Sequence, residues 1–225
     1  MVCNALSRSE PSQRTVSGNA AFLLAGIPPL KLLAPMRKRL YEKVRKLKED
    51  GEYSKETRDA AKDEEYSRMY ELWRNELEKP NTSGEYTKMA IVPRLEIWMA
   101  RIGDSMSFHL TQLMTGHGCF GKFVHRIGKR PDPSCDFCGE EDDAFHTLRE
   151  CPGWDPQRIR LQRKLELEQD FTLADIVDAV AMSRDRWLAF SAFAEEIMRK
   201  KEEEEKRRER ARDATPSNGE DDSDE

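Results

Sequence analysis

Four residues in the second half of the chain have the types and spacing to hold a metal: Cys135, Cys138, His146 and Cys151, in the pattern C-x2-C-x7-H-x4-C. Thiolate and imidazole are donors that zinc prefers, and four of them complete its tetrahedron with no position left for water. Such a closed site is structural, because it clips a loop and has no bound water to activate. The spacing puts the first two cysteines on a tight turn and the other two ligands on a short helix that follows. His146 and Cys151 are five apart, about 500° of α-helical rotation, so they share a side only if the helix ends before Cys151. Pro152 stands where that ending needs it.

Fragments of three enzyme motifs occur and none is complete. A zinc deaminase needs H-x-E upstream of P-C-x-x-C, but His117 and His125 lack the glutamate and Ser134 separates Pro133 from Cys135. The pair Asp142 and Asp143 lies in the metal loop and lacks the apolar flanks of a two-metal polymerase centre. Arg130-Pro131-Asp132 stands alone as a piece of a nuclease motif. No catalytic residue is therefore expected.

Nucleic-acid recognition is the other chemistry to weigh. The loop itself carries Asp136, Glu140, Glu141, Asp142, Asp143, Glu150 and Asp155 against Arg149, so it should repel phosphate. Bases flank it: Lys122, Arg126, Lys129 and Arg130 on one side, Arg158, Arg160, Arg163 and Lys164 on the other. Phosphate contacts with RNA or DNA are expected there or nowhere. Phe120, Phe123 and Trp154 sit at a spacing more typical of core than of stacked bases.

Elements able to position such a centre are helical. At 37% hydrophobic and 36% charged, the 225-residue chain lies well away from the usual ~45–50% and ~25%, so much of it must be solvated helix surface. The net charge of -5 belongs to the acidic end, Glu220 to Glu225, and decides nothing about partners. Five cysteines, three of them in the metal pattern, suit a reducing, intracellular compartment better than a disulfide framework. The apolar run Ala20 to Ile27 is too short to span a bilayer, and no membrane association is expected.

Met36 to Asp50 and Ser54 to Lys79 show helical periodicity, the first through Leu40, Val44 and Leu47, the second through Tyr66, Met69, Tyr70, Trp73 and Leu77. With acids and bases near balance, they form a charged hairpin with solvated outer faces. Pro93 opens a helix with Leu95, Trp98, Met99 and Ile102 inward, and Ser105 to Thr115 forms another. Phe120, Phe123, Val124 and Ile127 repeat the spacing; Asp155-Pro156, Thr172 and Ser183 start three more helices, the last with Trp187, Phe190, Ala194, Ile197 and Met198 inward. From Lys200 the sequence loses any apolar face and predicts a solvated extension running into a disordered acidic tail.

Thr111-Gln112-Leu113-Met114-Thr115-Gly116-His117-Gly118-Cys119-Phe120-Gly121, Arg126-Ile127-Gly128, the cysteine-histidine pattern and Cys151-Pro152-x-Trp154 resemble the C-terminal region of non-LTR retrotransposon reverse transcriptases of the arthropod type that inserts into ribosomal DNA. Arg14-Thr15-Val16-Ser17, Ala20-Ala21, Ala25-Gly26 and Pro28-Pro29-Leu30 are similar to the segment joining polymerase thumb to C-terminal helices in that family. The resemblance implies a zinc-stabilised, non-catalytic region that holds RNA or DNA during target-primed reverse transcription, in the nucleus. The polymerase and endonuclease residues of the parent enzyme are not in this sequence.

The expected architecture is all-α: a segment over 1–35 like the thumb junction, a charged helical hairpin over 36–84, a helical domain over 85–199 around the CCHC zinc knuckle, and a charged helical extension with a disordered tail over 200–225. The competing expectation is a zinc-clipped module whose charged helices and tail bind proteins, or a decayed or captured fragment that binds no nucleic acid.

Overall fold

A computed structural model describes residues 16–101 and 105–214. Ile102, Arg14, Thr15 and the acidic tail lie outside them. The described residues are all-α, and their only extended pairing is an isolated antiparallel bridge between Ser134 and Glu141.

Helix α1 (Gly18–Ala25) starts where the Ser17 hydroxyl accepts from the Ala20 N–H, and it buries Leu23 and Leu24. Helix α2 (Leu30–Glu49) begins six residues before the expected Met36, directly after Pro29, and runs through Pro35. Proline looked like a boundary because it removes a backbone donor; here the helix accommodates that loss inside its second turn. Helix α3 (Lys55–Leu77) has a capping box in which the side chains of Ser54 and Thr57 each accept the other's N–H.

Its buried line is Ala61, Glu65, Met69, Trp73 and Leu77, four residues apart throughout. Tyr66 and Tyr70 are only half-buried. The surprise in that line is Glu65, 1% exposed. Arg39 Nε reaches its Oε2 at 2.7 Å and Lys43 Nζ its Oε1 at 2.8 Å, so the hairpin closes on an ion cluster as well as on apolar contact. Leu40, Val44 and Leu47 are half-buried, and Met36 is the residue of α2 that is fully covered.

Helix α4 (Glu85–Ile91) runs into a 3-10 turn (Val92–Arg94) and then α5 (Leu95–Met99). Pro93 therefore interrupts a helical run that is already under way, where the sequence suggested a start. Helix α6 (Phe108–Thr115) is capped by Ser107, two residues after the expected Ser105. Helix α7 (Gly121–Arg126) precedes the metal loop; α8 (Asp155–Leu165), α9 (Leu173–Ala181) and α10 (Arg184–Ala214) follow it. Thr172 and Asp175 cap α9 reciprocally.

One apolar cluster runs through the molecule, from Leu23 of α1 and Trp73 of α3 to Cys135 and Cys151 of the loop and Met198 of α10. At its centre the rings of Trp98 and Trp187 lie 5.8 Å apart with the Arg101 guanidinium over Trp98. The Trp98 indole donates to the Leu23 carbonyl at 2.7 Å and Arg101 Nη2 to that of Leu24 at 2.9 Å, which pins α1 to the body. Helix α10 packs against α6, α8 and α9 and is the common wall of the fold. All five residues expected inward on it are buried. The stretch after Lys200 departs from expectation. It remains helical, but Lys201 is 3% exposed and Glu202 is half-buried, because α10 continues across the metal loop and along α6, where Asp142 pairs with Lys201 and His109 with Glu202.

Candidate metal centre

The loop between α7 and α8 is a tight knuckle. The Cys135 N–H donates to the Glu140 carbonyl at 2.7 Å and the Gly139 N–H to the Cys135 carbonyl at 2.9 Å, which presents Cys135 and Cys138 on one turn. His146 follows on a short π-helical turn, His146–Glu150. The Cys151 N–H donates to the His146 carbonyl at 2.8 Å, an i to i+5 bond. That wider turn, with Cys151 extended at φ -61°, carries His146 and Cys151 to the same side although they are five apart. The helix does end before Cys151, as the spacing required.

The four ligand atoms lie within 4.8 Å of one another and can hold a metal ion. Cys135 Sγ is 3.7 Å from Cys151 Sγ, Cys151 Sγ is 3.8 Å from Cys138 Sγ, and Cys138 Sγ is 3.2 Å from His146 Nε2. Thiolates held about 2.3 Å from a tetrahedral ion sit about 3.8 Å apart, so the sulfur spacings fit a tetrahedron and are far too long for a disulfide. His146 offers Nε2, while Nδ1 faces Glu150 Oε2 at 3.8 Å. Burial pushes the Cys151 thiol up to about 12 and also raises that of Cys135. A cation in their midst is what would hold both as thiolates.

Around this centre the sequence hides a hub. Asp142 is 1% exposed. Its Oδ2 accepts the Gly121 N–H at 2.7 Å, its Oδ1 the Thr147 hydroxyl at 3.0 Å, and Lys201 Nζ lies 2.8 Å from both oxygens. One carboxylate thus ties the start of α7, the π turn and α10 together. Gly121 is required by proximity, since a Cβ there would meet the Pro133 carbonyl oxygen at 2.4 Å. Similarly, a Cβ on Gly153 would come within 2.8 Å of the Phe137 Cβ, and Phe137 packs on Trp154 with ring centroids 4.3 Å apart.

The eight flanking bases separate into two groups. Arg130 and Arg158 are buried. Arg130 contacts Asp136 at 3.2 Å, and the two terminal nitrogens of Arg158 donate to the carbonyls of Arg149 and Cys151. Both hold the knuckle to its surroundings. Lys122, Arg126, Lys129, Arg160, Arg163 and Lys164 are exposed. Lys122 pairs with Glu141, and Arg160 with Glu196 at 2.9 Å. Phe120, Phe123 and Trp154 are core, as their spacing suggested. Asp142 and Lys201 were the functional residues missed. Lys201 gives no sequence signal inside a charge run, whereas Gly121 closes the resembling motif.

No protein-family model matches the chain, and neither does any solved structure. Its relatives are R1 retrotransposable-element proteins of arthropods. A putative 115 kDa protein in the type-1 retrotransposable element R1DM of Drosophila melanogaster is 26% identical over 196 residues, which is 82% of this chain and 18% of that protein. A retrovirus-related Pol polyprotein from the type-1 retrotransposable element R1 4 of Nasonia vitripennis is 38% identical over 47 residues, 20% of this chain and 12% of that one. The chain therefore spans less than a fifth of the length of either relative.

Proposed function

We propose, on the premise that these relatives are R1 element proteins, that the chain is a non-catalytic C-terminal portion of a non-LTR reverse transcriptase, stabilised by zinc, which holds RNA or DNA during target-primed reverse transcription. The observation that supports this reading best is the closed Cys3His centre within a chain that aligns over 82% of its length with an R1 protein. Zinc is preferred because three thiolates and one imidazole at tetrahedral spacing match its ligand chemistry. When bound, it fixes the loop and supplies no reactive water.

Phosphate contact falls to the exposed bases that have no carboxylate partner among the described residues: Arg126, Lys129, Arg163 and Lys164. Arg130 and Arg158 act on the knuckle instead. Anisotropy with single-stranded RNA and duplex DNA across salt tests this. Binding should fall steeply with salt, and Arg163→Ala with Lys164→Ala should reduce the slope of log K against log salt by about 1.4 on single strands and about 1.8 on duplex. A folded, metal-loaded protein that binds neither at low salt sinks the proposal and leaves a protein-interaction module. Template-dependent DNA synthesis by the purified chain would refute its non-catalytic assignment. Nuclear residence follows from the same reading, and a fluorescent fusion excluded from nuclei would contradict it.

A further inference from the structure

A cleft of about 470 Å³ opens where the N-cap of α1, the start of α4, the turn between α6 and α7 and the metal loop meet. Its size is that of a small-ligand site. Tyr86, His117, Arg126, Asp143 and Phe145 line it. None of the metal ligands does.

The chemistry of that lining is specific. The Tyr86 hydroxyl is buried with no hydrogen-bond partner among the described residues, and native structures seldom leave such a group unmatched without a reason. Burial, with the Asp143 carboxylate nearby, pushes its pKa well above the usual phenol value, so it keeps its proton and remains a donor. His117 Nδ1 lies 3.0 Å from the Thr115 carbonyl, to which it donates, and burial holds the ring's pKa below its ordinary value. Nε2 is then a free acceptor. Phe145 is an aromatic at the cleft with 41% of its surface exposed. Arg126, exposed and 5.1 Å from the Phe123 ring centroid, contributes a guanidinium.

Two carboxylates also line the cleft and bound what can enter. Glu85 pairs with Lys88 at 2.8 Å; Asp143 accepts the His146 N–H at 2.8 Å and lies 3.9 Å from Lys122. Their charge disfavours an anion beside them and leaves it to Arg126. A flat heterocycle with donors and acceptors, joined to one phosphate, meets all these conditions: aromatic contact, one donor, one acceptor and one cation.

We propose that this cleft takes one unpaired nucleotide of a bound strand, with its base against Tyr86, His117 and Phe145 and its phosphate at Arg126. The inference rests on the nucleic-acid reading above. It adds a preference for unpaired over duplex substrate and places the contact away from the α8 bases.

The decisive variant is Tyr86→Phe in the metal-loaded full chain. It removes a hydroxyl that bonds nothing in the free protein, so its urea midpoint should stay level or rise. Its affinity for short single-stranded RNA and DNA should nevertheless fall about three- to tenfold, the worth of one hydrogen bond, with the salt slope and duplex affinity unchanged. Arg126→Ala should instead lower the salt slope by about 0.7 on single strands. Parallel RNA and DNA strands identify which source supplies the nucleotide. Tyr86→Phe binding single strands as tightly as the unmodified protein overturns the cleft assignment while leaving the nucleic-acid reading intact. An unmodified protein that binds no nucleic acid overturns both.

Discussion

Asp142 shows how much one side chain can organise. Its carboxylate satisfies a backbone N–H, a hydroxyl and a buried ammonium at once. Asp142→Ala would leave Lys201 as an uncompensated buried charge and should cost about 3–5 kcal/mol in urea unfolding of the metal-loaded protein. Lys201→Met should cost less, because the carboxylate keeps Gly121 and Thr147 as partners. The cluster of four candidate ligands was legible from spacing alone, since its chemistry is local in sequence. The Asp142–Lys201 pair was not, because its members are 59 residues apart and each sits in a run of similar charges. His109 carries a pH dependence. The Glu202 carboxylate, at 3.2 Å from Nε2, and that of Glu195, at 2.5 Å from Nδ1, hold its pKa above the ordinary value against the burial that lowers it. Arg199 and Lys206 lie near those two acids. A raised folded pKa means that the contribution to stability is full below about pH 6.5 and is lost as pH rises through the folded value. Both glutamates have lowered pKa values, so their share is present above about pH 4.3 and is lost as pH falls. His109→Gln should flatten the alkaline side of a stability–pH curve; an unchanged curve would show that the contact contributes nothing.

At the level of elements, caps were read more accurately than prolines. Thr172, Ser183 and Gly116 mark helix ends within a residue of where the structure has them, because their side-chain or backbone chemistry acts on the next turn only. The helix starts expected at Met36 and Pro93 were misplaced, since whether a helix tolerates a proline's missing donor depends on what packs around it. The charged hairpin conceals the same lesson. Its near-balance of acids and bases suggested solvated faces, yet Glu65 completes the buried line of α3. Replacing it should separate two effects. Glu65→Ala opens a gap and removes both ion pairs, and should lower hydrogen-exchange protection across α2 and α3. Glu65→Met keeps the volume within an apolar line and should be close to neutral, because Arg39 and Lys43 are each about a third exposed and can rehydrate. Equal loss in the two variants would contradict this account.

For the molecule as a whole, the metal loop is part of the interior. Cys135 and Cys151 belong to the same apolar cluster as Trp73 and Trp187, and α10, which packs on α6, α8 and α9, contributes Trp187 through Met198 to it. Removing the metal with a chelator should therefore lower the midpoint of a single cooperative thermal transition, read by circular dichroism, in place of melting the loop alone. A transition unmoved by chelation would separate loop from core. The all-α class was legible because helical periodicity is strong and no strand pattern competes with it, but the way α10 crosses the loop was not, since long-range packing leaves no local mark. The π turn at His146–Glu150 bears on how such genes can drift. Deleting one codon between His146 and Cys151 leaves the two ligands four apart, which an ordinary α-helical turn already places on one face. Inserting one codon leaves them six apart, about 120° round an α-helix, and carries the cysteine one residue beyond the i to i+5 bond that closes the present turn. Lineages descended from a common copy should accordingly show H-x4-C or H-x3-C at this point and be purged of H-x5-C.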